Sequence, residues 1–252
     1  MSLLIQQGRM LDHAGNSLVG LIASLSPAIW MKADDNAASN TVINSGSAGN
    51  GQAYNAPNGV ILSTKNTSLM SAAALTASSA NSFYINGSGM VEYPNVSLSN
   101  ATGWTVSGII RVDSVPSVAS VAVVAQLTNT GTGCPELGVI NVDGSTWRFR
   151  VMLSGTSEVT MTATPTYSYG AIVRFALRKR AGGVVDLFVN GSLVASSTAA
   201  PVYSYSTGVN RFGAGRYGSS TTYYAIPGAI DETALFTSPL SDANCIALTS
   251  VW

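Results

Sequence analysis

Apolar and polar residues alternate in short runs through the second half of the chain. In one run, Trp147, Phe149 and Val151 fall on one side of an extended strand, whereas Arg148 and Arg150 fall on the other. A period of two residues is typical of a β-strand with one buried face. The pattern therefore predicts strands rather than helices for most of this half.

Two-residue turn signals separate these runs. Asp143-Gly144 and Asn190-Gly191 each lie between two alternating segments, and Gly182-Gly183 lies between two more. Asn and Gly adopt positive φ at low cost, which a type I′ hairpin turn requires. Many short strands joined by such turns predict an all-β chain folded as a β-sandwich or jelly roll.

The first positions of the chain follow a different period. Their apolar residues recur at helical spacing: Leu11, Leu18, Leu21, Ile22 and Leu25. This spacing predicts a short helix that ends before Pro27. We divide the chain into an N-terminal arm, residues 1–26, and one sandwich domain, residues 27–252. The arm either packs on its own domain or docks on a neighbouring subunit. A last helix is predicted after the N-cap residue Ser241.

The chain carries very little charge. Twelve basic and twelve acidic residues make up 10% of the 252 residues, and they sum to zero, whereas an ordinary domain is about 25% charged. A strong nucleic-acid binder needs an excess of Lys and Arg, so nucleic acid is excluded as a partner. A neutral surface favours association with other chains or copies.

The remaining sequence signals are negative. Met1–Met10 has no basic segment ahead of an apolar one, so we expect no signal peptide. Ala14–Met31 has no charge, but glycines and a proline interrupt it, so we expect no membrane span.

Cys134 and Cys245 belong to no CxxC motif. We expect each to be a free buried thiol, with a disulfide as the alternative. His13 is the single histidine, which excludes a multi-histidine zinc site.

Three segments of the second half resemble a known family. They read, in order, VVDLFVNGSLVASS, NRFGAG and IPGAIDETALFTSPLSDANCIAL. They are similar to the C-terminal half of a laminin-G-like domain of the concanavalin A-like lectin/glucanase superfamily. The matching positions are Asn190-Gly191, Phe212-Gly213, Gly228, Ile230-Asp231-Glu232 and Leu240-Ser241. The resemblance covers about residues 27 to 252 and implies a jelly-roll sandwich of two antiparallel sheets. Such folds serve as lectins, glycosidases, adhesion modules and structural parts of bacteriophage virions.

The acidic residues give little support for catalysis. Glycosidases of this superfamily place two close carboxylates on one strand, and glycoside hydrolysis needs such a pair. The sequence contains no alternating Glu/Asp cluster, so we expect no enzyme. Asp231 and Glu232 are the most conspicuous acids, and in the family this motif is mostly architectural. The alternative is that Asp231 is a calcium ligand. Apart from calcium, we expect no cofactor.

Two further groups are candidate contact residues. Half of the 12 basic residues lie in one segment: Arg148, Arg150, Arg174, Arg178, Lys179 and Arg180. If their strands share a sheet, they form a basic surface for an acidic partner or an anionic glycan; otherwise they are a solvated face paired with acids such as Asp186. Seven tyrosines lie in Ser/Thr/Gly-rich loops: Tyr167, Tyr169, Tyr203, Tyr205, Tyr217, Tyr223 and Tyr224. They either line a contact surface or anchor their loops by packing.

Together these features predict a non-enzymatic structural or adhesion component of a bacteriophage particle. It would be a capsid decoration (cement) protein or part of a tail fibre, located in the virion and assembled in the host cytoplasm. Its partners would be other virion proteins or further copies of the chain. The alternative is a lectin-like, carbohydrate-binding module that recognises a cell-surface glycan.

Overall fold

The computed structural model describes residues 5–6, 9–10, 17–33, 39–55, 60–61, 70–73, 75, 81–85, 89–99, 101–115, 121–129, 135–154, 157–158, 161, 165–197, 208–216 and 223–250. The two helices are α1 (Leu18–Ser24) and α2 (Asp242–Thr249). The strands are β1 (Ile5–Gln6), β2 (Arg9–Met10), β3 (Ile29–Met31), β4 (Thr41–Val42), β5 (Gly51–Asn55), β6 (Val60–Ile61), β7 (Met70–Ala73), β8 (Asn81–Tyr84), β9 (Gly89–Tyr93), β10 (Trp104–Val112), β11 (Val121–Asn129), β12 (Glu136–Asn141), β13 (Thr146–Ser154), β14 (Ser157–Glu158), β15 (Thr166–Ser168), β16 (Ile172–Lys179), β17 (Val185–Val189), β18 (Ser192–Ser196), β19 (Val209–Phe212), β20 (Ala214–Arg216), β21 (Tyr223–Ala225) and β22 (Gly228–Phe236).

Two sheets face each other. The small sheet has eight strands in the order β18-β17-β16-β10-β22-β8-β7, with β3 also paired to β22. The large sheet has twelve, with the main path β14-β13-β12-β11-β19-β9-β5-β4. The strands pair antiparallel except where β21 meets β11. The predicted sandwich of two antiparallel sheets is confirmed.

The alternating residues of the sequence fill the space between the sheets. Trp104 and Phe175 point inward from the small sheet, and Trp147 and Phe149 point inward from the large sheet. The rings of Trp147 and Phe149 meet edge to face with centroids 5.2 Å apart. The hairpin signals are also confirmed: at the turn after β17, Asn190 has φ 48° and Gly191, the next residue, is also at positive φ.

A second, smaller core covers the outer face of the small sheet. Leu18 and Ile22 of α1 belong to the same buried cluster as Cys245 and Leu248 of α2 and Phe188 of β17. The predicted N-terminal helix therefore packs on its own domain. No helix in the described part of the chain has both the length and the apolar character to cross a membrane.

The cysteine prediction is confirmed at one position. Cys245 is free and buried, and burial raises the pKa of its thiol to about 11. Cys134 lies outside the described residues.

A buried carboxylate holds the edge of the small sheet together. Asp186 of β17 is fully buried, and its Oδ2 lies 2.7 Å from Nη2 of Arg178 on β16. Asp186 also accepts hydrogen bonds from Arg180 and from Ser196 of β18. Arg178 further contacts Asp242, the first residue of α2, at 2.6 Å. One charge network thus joins three strands to the start of a helix.

This network corrects one expectation about the basic residues. β13 belongs to the large sheet and β16 to the small sheet, so Arg148 and Arg150 do not share a surface with Arg174, Arg178 and Arg180. The single basic surface is not formed. For Arg178 and Arg180, pairing with Asp186 is the interpretation that the structure supports.

Replacing Asp186 tests the network. Asp186→Asn should lower the free energy of unfolding by about 3–5 kcal/mol, because it leaves the Arg178 guanidinium buried beside an uncharged group. Burial alone would raise the pKa of Asp186, but hydrogen bonds from Arg180, Ser196 and Arg178 lower it. The stabilisation is therefore present above the ordinary Asp pKa near 4 and is lost as the pH falls through the lowered value. Urea unfolding at neutral pH measures the difference.

The matched control is Asp113→Asn. Asp113 pairs with Arg111 at 2.8 Å, but both side chains are about 30% exposed, so this change should cost less than about 1 kcal/mol. Equal losses in the two variants would contradict the prediction.

Candidate functional site

The two outer faces of the sandwich differ. Helices α1 and α2 cover the outer face of the small sheet. The outer face of the large sheet instead carries five polar side chains from five adjacent strands, which we call the polar row. Its members, in order across the sheet, are Gln52, Glu92, Arg211, Gln126 and Glu136. Each lies directly opposite the next in strand register, and directly opposed residues share one face of a sheet.

Hydrogen bonds connect four members of the polar row. Arg211 Nε donates to Glu92 Oε2 at 3.0 Å, and Arg211 Nη1 donates to Gln126 Oε1 at 3.4 Å. Gln126 Nε2 then donates to Glu136 Oε2 at 3.1 Å. The amide of Gln126 thus accepts from a cation on one side and donates to an acid on the other.

Exposure changes along the polar row. Glu136 and Gln126 are 4% and 1% exposed, whereas Gln52 at the other end is exposed. Gly215 lies over the buried part, because a Cβ there would come 2.7 Å from Val123 and 3.0 Å from the amide carbon of Gln126. Burial raises the pKa of Glu136 to about 7, although the hydrogen bond from Gln126 and the charge of Arg150 act in the opposite direction.

The exposed end of the polar row borders an aromatic ring. Tyr54 of β5 packs against a small buried cluster of Met90 and Ala214, and its hydroxyl donates to Gln52 Oε1 at 3.3 Å. Glu92, whose side chain is 17% exposed, lies opposite Gln52. An amide, a carboxylate and a ring edge at one place can hold a polar, ring-shaped ligand by hydrogen bonds and apolar contact.

The predicted loop tyrosines divide into three groups. Tyr167 and Tyr169 are partly buried and pack against the main core, and the Tyr167 ring lies 5.0 Å from that of Trp147. Burial raises the pKa of Tyr167 to about 12. These two tyrosines anchor their segment. Tyr224 is 37% exposed and remains a candidate contact residue.

The other tyrosines give no information about a contact surface. Tyr223 lies in β21, but its side chain is outside the described residues, as are Tyr203, Tyr205 and Tyr217.

Arg174 is the other arginine of β16, besides Arg178. It is 9% exposed, and burial lowers the pKa of its guanidinium. Its backbone pairs with the Asn190 turn through both its N–H and its carbonyl. The structure therefore places it beneath a turn of the small sheet, away from the polar row.

Asp231 and Glu232 are both buried in β22. The two oxygens of Asp231 accept backbone N–H groups of Glu232, at 2.8 Å, and of Leu75, at 3.1 Å. Glu232 Oε2 accepts from Trp30 Nε1 at 2.7 Å. These contacts fit the architectural interpretation of the motif. Among the described residues, no three His, Cys, Asp or Glu side chains come together as a metal site; calcium at Asp231 stays a prediction.

Sequence reasoning did not identify the polar row. Gln52 and Glu92 are 40 positions apart, and Arg211 is a further 119 positions along the chain from Glu92. In the sequence, Glu92 and Glu136 are each isolated from other acidic residues. No local signal joins these residues, because their proximity depends on strand register.

Comparison with known proteins identifies the family. The family model Laminin_G_3, described as "Concanavalin A-like lectin/glucanases superfamily", matches residues 85–245. This is more than half of the chain, so the chain belongs to this superfamily. The resemblance seen in the sequence is confirmed at this level. None of the curated proteins matches the chain by sequence.

Solved structures share the fold at low sequence identity. One is domain 4 of a GH43 extracellular arabinanase from Geobacillus stearothermophilus, in complex with arabinotriose; it has a TM-score of 0.61 and 17% identity, over 89% of this chain and 98% of that domain. Another is the botulinum neurotoxin serotype D binding domain, with a TM-score of 0.56 and 15% identity, over 91% of this chain and 52% of that one. The botulinum neurotoxin DC binding domain, in complex with rat synaptotagmin II, has a TM-score of 0.54 and 13% identity, over 89% of this chain and 51% of that one. This chain thus spans about half the length of the neurotoxin binding domains.

The buried acid of the polar row should make stability depend on pH. Because the pKa of Glu136 is raised to about 7 in the folded state, folding favours its protonated form. The stabilisation that the protonated Glu136 contributes to the fold is fully present below the ordinary Glu pKa near 4.3. It is lost as the pH rises through about 7. Between about pH 5 and pH 8, this group should lower the free energy of unfolding by about 2–3 kcal/mol. In Glu136→Gln that decrease should vanish.

Urea unfolding at the two pH values measures this change. Gln52→Leu alters a neutral member of the same row. In this variant the free energy of unfolding should depend on pH as it does in the wild type. If the free energy of unfolding depends on pH equally in the wild type and in Glu136→Gln, the prediction is wrong.

Proposed function

We propose that this lectin-like sandwich is a non-enzymatic binding module that recognises a glycan on the outer face of its large sheet. The polar row is the observation that carries the proposal. At its exposed end, the Gln52 amide offers a donor and an acceptor, the Glu92 carboxylate offers an acceptor, and the ring of Tyr54 offers an apolar edge beside them. Sugars bind through this combination of directed hydrogen bonds and ring contact.

The structural relatives support binding rather than catalysis as the role of this fold. The arabinanase domain carries a bound arabinotriose, and the neurotoxin binding domain carries a protein ligand, synaptotagmin II. Because the arabinanase domain is matched over almost its whole length, we favour a carbohydrate over a protein as the ligand of this chain.

The spacing of the carboxylates argues against hydrolysis. Glu92 and Glu136 share the outer face, but Arg211 and Gln126 lie between them. Three strand spacings of about 4.8 Å place their strands about 14 Å apart. Retaining glycosidases need two carboxyl groups about 5 Å apart, and inverting enzymes need about 6.5–9.5 Å. This pair fits neither mechanism.

Titration with oligosaccharides tests the proposal. A panel that begins with arabinotriose should contain a ligand that binds the wild-type chain saturably by isothermal calorimetry. Tyr54→Ala and Gln52→Ala should each weaken that binding about tenfold, because each removes a contact worth on the order of 1 kcal/mol or more. Leu193→Ala is the control, since it shortens a side chain that is 46% exposed on the small sheet. Unchanged affinity in both test variants would overturn this assignment of the site.

A second function is favoured by the charge of the chain. We also propose that it acts as a structural or adhesion component of a bacteriophage particle, as a capsid decoration protein or part of a tail fibre, and that it is located in the virion. Only 24 of 252 residues are charged and they sum to zero, so copies repel one another weakly. Large apolar side chains such as Ile43, Ile172 and Ile246 are 40% or more exposed. A glycan-binding module can serve in such a particle.

The size of the native assembly tests this second function. In a virion, each copy should bury well over about 1,000 Å² against other chains, which electron microscopy of the intact particle measures. Sedimentation of the isolated chain should show oligomers. A chain that remains monomeric at high concentration and buries no such surface would contradict the structural role while leaving glycan binding intact.

A further inference from the structure

The exposed end of the polar row places a carboxylate opposite an amide. Glu92 of β9 and Gln52 of β5 are direct partners in strand register, so their Cβ atoms lie about 5 Å apart. Each side chain bonds a different neighbour, Arg211 in one case and Tyr54 in the other. An acceptor and a donor therefore stand side by side on this face without bonding each other.

Arg211 leaves one oxygen of Glu92 available. Its Nε donates to Glu92 Oε2 at 3.0 Å. Its Nη1 donates to Gln126 Oε1 at 3.4 Å, which ties the guanidinium to the buried part of the polar row. Within the described residues, Oε1 of Glu92 has no hydrogen-bond partner. The arginine thus fixes the carboxylate and leaves Oε1 as an acceptor for a ligand.

Tyr54 orients the amide of Gln52 in a similar way. The Tyr54 hydroxyl donates to Gln52 Oε1 at 3.3 Å, so the acceptor of the amide is used inside the protein. The Nε2 group carries two N–H donors, and in the part of the chain that the structure describes it has no partner. Because the Gln52 side chain is exposed, these donors are accessible to a ligand.

The charges at this place favour an uncharged group. Arg211 already compensates Glu92, because the two form an ion pair in which the side chains are only 11% and 17% exposed. A cation would have to compete with Arg211 for the carboxylate. An anion would bring acceptor oxygens to Oε1, which can only accept. A hydroxyl group both donates and accepts, so it suits Oε1 as well as the amide donors.

We propose that this site recognises an uncharged glycan through two hydroxyl groups on adjacent carbons of one sugar ring. One hydroxyl donates to Glu92 Oε1, and its neighbour accepts from Gln52 Nε2. Adjacent hydroxyl groups project from one edge of a ring, which matches two opposed side chains on neighbouring strands. The ring of Tyr54 then borders the apolar part of the same sugar. This inference rests on the proposed function and names its ligand class.

Five trisaccharides test the ligand class. Arabinotriose, xylotriose, mannotriose and galactotriose are neutral, whereas trigalacturonate is acidic. All five carry hydroxyl groups on adjacent carbons, in different configurations. By isothermal calorimetry, the trisaccharide that binds most tightly should be a neutral one, because the site offers no group that selects a carboxylate.

Single-deoxy derivatives of that trisaccharide locate the contact to Glu92. Glu92→Gln should weaken binding of the complete trisaccharide at least about tenfold, because it removes a charge-assisted hydrogen bond. One derivative should show the same loss with the wild-type chain. That derivative should lose no further affinity with Glu92→Gln, because both changes remove the same hydrogen bond.

Gln52→Leu should show the same relation with a second derivative, and the two missing hydroxyl groups should lie on adjacent carbons. The matched control is Asp113→Asn. It makes the same change from carboxylate to amide in an ion pair with an arginine, Arg111 of β10. Because β10 belongs to the small sheet, this variant should bind the trisaccharide as the wild type does.

A measurement on the unmodified protein does not depend on the folding of any variant. Titration with the same trisaccharide should shift the Nε2–H resonances of Gln52 and the carboxyl carbon resonance of Glu92 saturably. The carboxyl carbon resonance of Asp113 should stay in place.

Each failure has a distinct meaning. If trigalacturonate binds most tightly, or if the two hydroxyl groups are not on adjacent carbons, glycan binding stands and the proposed hydroxyl contacts are wrong. They are also wrong if the loss in Glu92→Gln adds fully to that of every deoxy derivative, or if the Glu92 and Gln52 resonances do not move. If none of the five trisaccharides binds, this ligand class is rejected, and the wider oligosaccharide panel decides the proposed function separately.

Discussion

The buried carboxylate of Asp186 ties the edge of the small sheet to one of the helices that cover its outer face. It lies between Arg178 and Arg180 and also accepts from Ser196, so it joins β16, β17 and β18. Through Arg178 and Asp242 the same network fixes the start of α2. A buried cation and anion of this kind are stable only when both are present. Because α1 and α2 pack over the outer face of the small sheet, the glycan site that we propose lies on the outer face of the large sheet.

The polar row depends on a different constraint, the register of antiparallel strands. Each member stands opposite the next, so a shift of one residue in any strand would turn its member into the core. The hydrogen bonds then fix the amide of Gln126, because Arg211 can only donate to it. Burial of the charged form of Glu136 is unfavourable, so the protonated acid is favoured at this position. A structural network at one end of the row thus supports an exposed set of contact groups at the other.

These two features make the sandwich asymmetric in chemistry as well as in shape. On the small sheet, Arg178 and Arg180 are used internally, paired with a buried acid. On the large sheet, Arg148 and Arg150 lie on β13, and the charge of Arg150 acts against the burial that raises the pKa of Glu136. A chain with zero net charge therefore still uses its charges differently on the two sheets, and the pair of Arg211 and Glu92 lies on the outer face of the large sheet.

The sequence by itself determined the local structure and the fold class. Alternation predicted the inward face of β13, and the Asn190-Gly191 pair predicted a hairpin because both positions need positive φ. Ser17 and Ser241 cap the two helices. These signals are local, so a single sequence carries them. Only the tertiary structure decided which sheet each strand joins. That assignment separated Arg150 from Arg178 and brought Glu92 beside Arg211, because contacts between distant strands depend on pairing and register, which no short segment encodes.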